Sequence, residues 1–298
     1  MKEHTKAYVA GLIDAEGSLS IEERPHFDCV TSAARVSFSN TDRRIHKYLV
    51  KMFGGQFSKI NREGSDRPEH WKIEYQWSTT GAKHSLWFLS QILPYLIIKR
   101  REAELLIEYY SLNGIQSEIN NRRRKELIIK SRELKDRSVE TEIQKFSGKS
   151  NLINAYLAGL MDGDGCITIQ KNPIRNGNGY FVYAGQLSIV NTFASVVLEI
   201  ENVLGGRSSL RTEETENRMA SYQWQQRKKP SIESTLLKVM PYLVIKKEQA
   251  KLLLEFVRRP RIEKKDINPD RHDFREDFYQ KMQSLNHPEN QDTAQSYE

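Results

Sequence analysis

The second half of this 298-residue chain repeats the first. "AYVAGLIDAEGSLSI" (Ala7 to Ile21) returns as "AYLAGLMDGDGCITI" (Ala155 to Ile169), and "VSFSNTDRRIHKYLVKMFGGQ" (Val36 to Gln56) as "LSIVNTFASVVLEIENVLGGR" (Leu187 to Arg207). Next "EYQWS" (Glu74 to Ser78) becomes "SYQWQ" (Ser221 to Gln225), and "LPYLIIKRREAELLIEY" (Leu93 to Tyr109) becomes "MPYLVIKKEQAKLLLEF" (Met240 to Phe256). Four blocks in the same order mark an internal duplication, so the chain must build one kind of unit twice.

Within each unit the apolar period changes along the chain. Tyr8, Val9, Leu12 and Ile13 span much of a helix circumference, as in a helix buried on most sides, and Gly17 is expected to stop it as a left-handed cap. Period two follows, with Leu19 and Ile21 on one face and Ser18, Ser20 and Glu22 on the other, and then Val36 and Phe38 against Arg35, Ser37 and Ser39. Asn40-Thr41-Asp42 caps a second helix that ends at Gly54-Gly55, two more strands lie around 56–61 and 71–78, and Pro94 separates a third helix from a fourth. The expected fold is α+β: two pseudo-symmetric αββαββα units, each an antiparallel sheet with helices on one face. Residues 1–136 form the first unit with a peripheral helix, 137–150 a linker, and 151–298 the second unit with its peripheral helix and a frayed tail. Trp77, Trp224, Tyr75 and Tyr222 are expected in the cores.

The chain is 38% hydrophobic and 29% charged, enough for two moderate cores, and its net charge of +7 favours a polyanionic partner. No run approaches the roughly 20 apolar residues of a membrane span, and the N-terminus has no secretory pattern, so an intracellular setting is expected, either bacterial cytoplasm or an organelle. Cys29 and Cys166 are too few for a disulfide framework and read as reduced, structurally minor thiols.

The repeated motif helices end in carboxylates, Glu16 and Asp164, where a helix already carries negative partial charge. Gly11 with Ala15, and Gly159 with Gly163, are small residues four apart, which lets two helix backbones meet. Packed side by side and parallel, the helices would bring Glu16 and Asp164 together, and a hard divalent cation would relieve the repulsion. Asp14 and Asp162, about 200° round the helix, would brace the pair rather than bind metal. Asp42 has Phe193 as its repeat counterpart and is read as a helix cap or phosphate-region residue.

Val9 to Gly17 and Leu157 to Gly165 resemble two copies of the signature of the LAGLIDADG homing endonucleases, in the single-chain, two-motif form. The resemblance covers the chain except its linker and tail, and Glu16 stands where aspartate is more usual. It implies a saddle joined through the paired motif helices, acting as a monomer that hydrolyses both strands of a long asymmetric double-stranded DNA target, with intron encoding part of the same expectation. It implies Mg²⁺ or Mn²⁺ as cofactor, with Ca²⁺ supporting binding without cleavage, and no membrane partner. Glu16 and Asp164 would then be catalytic and metal-binding, with Ala15 and Gly163 completing the ligand set, and Lys99 and Lys246 would lie beside the centre. The alternatives on the same scaffold are a group I intron RNA maturase, with host intron RNA as partner, and a catalytically silent DNA-binding regulator.

The outward strand residues carry the side-chain types that pair with bases and phosphates. In the first unit these are Ser20, Glu22, Arg24, Arg35, Ser37, Ser39, Lys59, Lys72, Glu74 and Gln76. In the second they are Thr168, Gln170, Lys171, Gln186, Ser188, Arg207, Arg211, Ser221, Gln223 and Gln225. The two sets differ, so the target is expected to be asymmetric.

Overall fold

Helix α1 (Glu3–Glu16) carries apolar side chains round most of its circumference, and Tyr8, Val9, Leu12 and Ile13 are all buried. The computed structural model describes residues 1–26, 29–60, 73–112, 117–135, 146, 148–173, 181–216, 218–260 and 273–286. Lys72, most of the expected linker and the C-terminal tail lie outside these residues, as does the side chain of Arg24. The chain divides into two compact units, Met1–Gly163 and Asp164–Glu298. No helix among the described residues is long and apolar enough to cross a membrane.

In the first unit, α1 leads into β1 (Gly17–His26) and β2 (Cys29–Asn40), followed by α2 (Arg43–Phe53), β3 (Gln56–Lys59) and β4 (Tyr75–Ser78). Then come α3 (Gly81–Ile92), a 3-10 turn (Leu93–Tyr95), α4 (Arg100–Ser111), α5 (Glu118–Lys135) and α6 (Ser150–Asp164), the last belonging to this unit as far as Gly163. The strands form one antiparallel sheet in the order β1-β2-β4-β3. Its inner face presents Leu19, Ile21, Val36, Phe38 and Trp77 to the helices. The indole of Trp77 donates to the Gly54 carbonyl at 2.7 Å, which ties the end of α2 to β4.

The second unit has the same order: β5 (Gly165–Pro173), β6 (Phe181–Asn191), α7 (Ala194–Leu204), β7 (Arg207–Thr212), β8 (Ser221–Gln226), α8 (Lys229–Val239), α9 (Lys247–Arg258) and α10 (Phe274–Asn286). Its sheet runs β5-β6-β8-β7, again antiparallel, and Trp224 donates to the Gly205 carbonyl at 2.7 Å. The peripheral helices have matching tasks. The hydroxyl of Ser131 on α5 accepts from the Ile21 amide at 3.3 Å, and Asn286 on α10 donates to the Ile167 carbonyl at 3.3 Å. Each helix therefore satisfies a backbone group on the outer edge of a terminal strand, where an unpaired edge would invite association.

Gly17 is extended rather than left-handed, with φ −73° and ψ 151°, whereas the glycines that end α2 and α7, Gly54 and Gly205, have φ of 72° and 69°. What demands glycine at 17 is crowding, because a Cβ there would lie 2.6 Å from the Ile13 carbonyl oxygen.

The segments of α1 and α6 within the first unit meet backbone to backbone. A Cβ on Gly11 would lie 2.0 Å from the Tyr156 carbonyl oxygen, and one on Gly159 would lie 1.9 Å from that of Tyr8. No rotamer relieves a clash between a Cβ and a main-chain oxygen, so a methyl group must push the helices apart. Gly159→Ala should therefore lower stability by about 3 kcal/mol or more, the upper end of overpacking costs, read as a fall in the urea unfolding midpoint. An unchanged midpoint would contradict this packing.

His46 on α2 is fully buried between Phe38 and Phe57, with ring centroids 5.4 and 5.3 Å away, and its Nδ1 lies 2.9 Å from the Asp42 carbonyl oxygen. Burial pushes its pKa below the ordinary histidine value. The unfolded chain then takes up this proton first as pH falls, so the contribution is complete above about pH 6.5 and is lost as pH drops toward the folded-state value. Unfolding titrations should show a decline in stability below that pH that is shallower in His46→Phe.

Candidate active site

The end of α1 is built around two side chains with opposite charge. The Ile13 carbonyl accepts the Gly17 amide, and a helix C-terminus leaves its last carbonyls short of intrahelical donors. The ammonium of Lys99 donates to three main-chain oxygens there, of Ile13 at 2.9 Å, Ala15 at 3.4 Å and Gly17 at 2.8 Å. This places positive charge where the helix dipole is negative. Beside it, Glu16 is the last helical residue and is exposed.

Asp14 is 2% exposed and points away from Glu16 into the protein. Its carboxylate accepts three successive amides, from Ile97 at 2.8 Å, Ile98 at 3.0 Å and Lys99 at 2.8 Å, and a fourth bond from the Tyr156 hydroxyl at 2.8 Å. Burial pushes its pKa up, while the amides of Ile97 and Ile98 and the Lys99 charge pull it back. Asp14 thus fixes the backbone that carries Lys99. Tyr8 makes the mirror bond, its hydroxyl donating to Asp162 at 2.8 Å. Burial, then the Asp162 charge, pushes the Tyr8 pKa well above its usual value, so the phenol stays a donor.

Among the expected helix-interface residues, the first unit brings together Gly11, Asp14, Ala15, Gly159, Asp162 and Gly163. A Cβ on Gly163 would lie 2.4 Å from that of Ala15 and 3.3 Å from Cγ of Glu16. Asp164 is the next residue and ends α6, half-buried. In the second unit Lys246 donates to the Gly165 carbonyl at 2.7 Å. It precedes α9 with φ −94° and ψ 18°, close to the −99° and 25° of Lys99 before α4. Desolvation raises the Cys166 thiol pKa, and the nearby charges of Lys246 and Arg211 counter it.

The donor chemistry available at the helix ends is carboxylate and peptide oxygen, which suits a hard divalent cation. Among the described residues no group of three or more His, Cys, Asp or Glu gathers into a closed cage. Such a cation would therefore complete its shell with water or phosphate oxygens, as Mg²⁺ does.

The sheet registers sort the expected DNA-facing residues. Lys59 pairs with Tyr75 and shares the face of Phe57 and Trp77, so it lies on the helix side of the sheet, and Gln56 and Ser58 take the outward positions instead. Lys171 pairs with Tyr183, also on the helix side, and its ammonium meets Glu276 of α10 at 2.8 Å and the Phe181 ring at 4.4 Å from its centroid. Both are corrections to the outward reading. Ser20, Ser37, Gln186 and Ser188 do share the outward face but are buried, Gln186 accepting from Arg227 at 3.0 Å.

The remaining outward residues reach the surface at least in part: Glu22, Arg35, Ser39, Glu74 and Gln76 in the first unit, and Thr168, Gln170, Arg207, Ser221, Gln223 and Gln225 in the second. Arg35 donates to Gln76, which donates to Ser39 at 3.2 Å, so these three act as one linked set. Arg211 is exposed where the β7–β8 register shifts, between Leu210 and Thr212. Sequence reading missed Gln56 and Ser58, whose signal was the inward Phe57 between them, and it missed Tyr8 and Tyr156, which read as ordinary core.

Replacing Asp14 by Ala would leave the amides of Ile97, Ile98 and Lys99 without their acceptor. The expected loss is about 3 kcal/mol, the upper end of the cost of stranding buried donors, measured by urea unfolding. Asp14→Asn should fall between Ala and the parent, because one amide oxygen can replace only part of the carboxylate.

No protein-family profile matches the chain, and no curated protein matches it. Solved structures do. The chain is similar to the I-SmaMI LAGLIDADG homing endonuclease bound to cleaved DNA, with 17% identity and TM-score 0.62 over 85% of this chain and 88% of that one. With I-SmaMI bound to its uncleaved DNA target in the presence of calcium ions, the figures are 18%, 0.65, 96% and 98%. With I-GzeII in complex with its DNA target they are 15%, 0.63, 85% and 89%. At such identities the likeness is one of backbone architecture, and on it the chain has the fold of the LAGLIDADG homing endonucleases.

Proposed function

We propose that this protein is a site-specific, intron-encoded homing endonuclease that hydrolyses both strands of a long asymmetric DNA duplex, with Glu16 and Asp164 as its metal-binding carboxylates. The observation that carries the reading is the end of α1, where Glu16 is left exposed while an ammonium covers the helix carbonyls around it. A carboxylate at a helix C-terminus works against the helix dipole, and the chain writes it twice. The DNA-bound state of the solved structures that share the fold supports the choice of substrate.

In this reading Glu16 and Asp164, with the carbonyls of Ala15 and Gly163, hold Mg²⁺ or Mn²⁺, and each carboxylate serves one strand. Bound there, the cation supplies Lewis acidity at the scissile phosphate and offsets its developing charge. Lys99 lowers the negative potential at the end of α1, where phosphate would approach Glu16. Lys246 does the same from the Gly165 carbonyl in the second unit. The outward residues that reach the surface at least in part, Arg35, Gln76, Arg207, Arg211, Gln223 and Gln225 foremost, contact backbone and base edges. Arg35 has Gln186 as its repeat counterpart, and differences of this kind make the readout asymmetric.

The test is incubation of the full chain and Mg²⁺ with a randomised duplex library, followed by sequencing of cut ends. Double-strand cleavage at one long site is expected, with Ca²⁺ supporting binding alone. Glu16→Gln and Asp164→Asn should each abolish double-strand cleavage while leaving affinity within about threefold, since each removes one of the charges that favour the cation and none of the basic contacts. Full cleavage by both variants would remove the proposed centre. Affinity should fall by about 10³ between 50 and 200 mM salt if at least six phosphates are contacted. A protein that cuts no duplex but binds intron RNA would favour the maturase reading.

A further inference from the structure

Tyr8 and Tyr156 hold the same place in the two motif copies, and each gives its hydroxyl to the aspartate of the other helix. Both rings are nearly inaccessible, 2% and 3% exposed, so neither bond competes with water. A phenylalanine would fill the same space, and the hydroxyl adds only the bond to the carboxylate. That bond starts a continuous path through the first unit. Tyr156 donates to Asp14, Asp14 accepts the amides of Ile97, Ile98 and Lys99, and the Lys99 ammonium reaches the carbonyls of Ile13, Ala15 and Gly17 beside Glu16.

We infer that Tyr156 is a positioning residue for cleavage: through Asp14 it sets the Lys99 ammonium against the end of α1, so that a side chain of the second motif tunes the carboxylate of the first. The inference rests on the endonuclease reading. Tyr8, bonded to Asp162, is the matching element for the other motif. Two of the four donors to Asp14, Ile97 and Ile98, share oxygen Oδ2 with Tyr156, and the third amide, Lys99, takes Oδ1. Without the phenol the three amides still hold the carboxylate, so the fold survives. What is lost is the restraint that comes from α6, and with it the fixed placement of Lys99. Small misplacements of catalytic groups carry large kinetic costs.

The effect is therefore selective. On a duplex with differently labelled strands, Tyr156→Phe should cut one strand about tenfold more slowly than the parent, a modest share of what misplacement can cost. The slowed strand should be the one slowed by Lys99→Ala, and Tyr8→Phe should slow the opposite strand. Duplex affinity should be unchanged, so that nicked product accumulates. A merely structural role would slow both strands alike, and either that result or parental rates on both strands would overturn the inference.

A second readout needs neither metal nor DNA. In the ¹⁵N spectrum of lysine ammonium groups, the Lys99 signal should be sharp and slowly exchanging in the parent, broadened in Tyr156→Phe and kept in Tyr8→Phe. An unchanged Lys99 signal in Tyr156→Phe would overturn the coupling. A parent protein that cuts neither strand would overturn the endonuclease reading instead, and the ammonium signal would still decide whether Tyr156 positions Lys99.

Discussion

The close approach of Gly11 to the Tyr156 carbonyl and of Gly159 to the Tyr8 carbonyl is the contact on which the candidate site depends. It brings the two helices near enough for a phenol on one to reach a carboxylate on the other. At ordinary helix spacing, 8–10 Å between axes, side chains fill the gap, and those reaches would be lost. Once the helices are this close there is no room for water between them, and every polar group in the seam must find a protein partner. Asp14 answers this with four donors, three of them consecutive amides of a segment that lies more than eighty residues further along the chain. The seam therefore organises the loop before α4 as well as the helices themselves.

That loop resolves the electrostatic oddity of Glu16. Lys99 stands immediately before α4, where its charge opposes the dipole of its own helix. Its ammonium instead serves the end of α1, whose carbonyls it covers, so the cost at one helix is offset at another. Lys246 has nearly the same backbone conformation in the second unit and reaches the first carbonyl of β5. In both cases an ammonium is held by neutral carbonyls close to a motif carboxylate in the chain.

The fold was legible in the sequence to a large degree, because duplication, apolar period and turn glycines all pointed the same way. Element order, the strand pairs and the buried tryptophans follow from them. The misreadings have a common cause, in that periodicity gives the face of a strand and neither its register nor its depth. Lys59 falls on the helix side because it shares the face of Phe57, and in so short a strand a slip of one residue exchanges the faces. Lys171 could not face outward together with its neighbour Gln170, and its true partner, Glu276, comes from a helix more than a hundred residues away. Ser20 and Ser37 do face outward but are buried. The crossed tyrosines had no local signature, since a tyrosine at an apolar position reads as core until its hydroxyl finds a partner.

The two units agree where the helix ends are built and differ on the sheet faces. Tyr8 and Tyr156, Asp14 and Asp162, Lys99 and Lys246, Trp77 and Trp224 occupy matching places. On the outward faces Glu22 answers to Gln170, Arg35 to Gln186 and Ser39 to Val190. Physical constraint accounts for the contrast. A helix seam at this spacing admits few solutions, because each polar group in it must be satisfied by a partner of fixed length and direction, whereas a strand position facing outward needs only a side chain that fits the pleat. A duplicated chain can thus diversify what its surfaces touch without disturbing the geometry that its motif helices impose, and the division runs along the strands themselves, inward residues on one side and outward residues on the other.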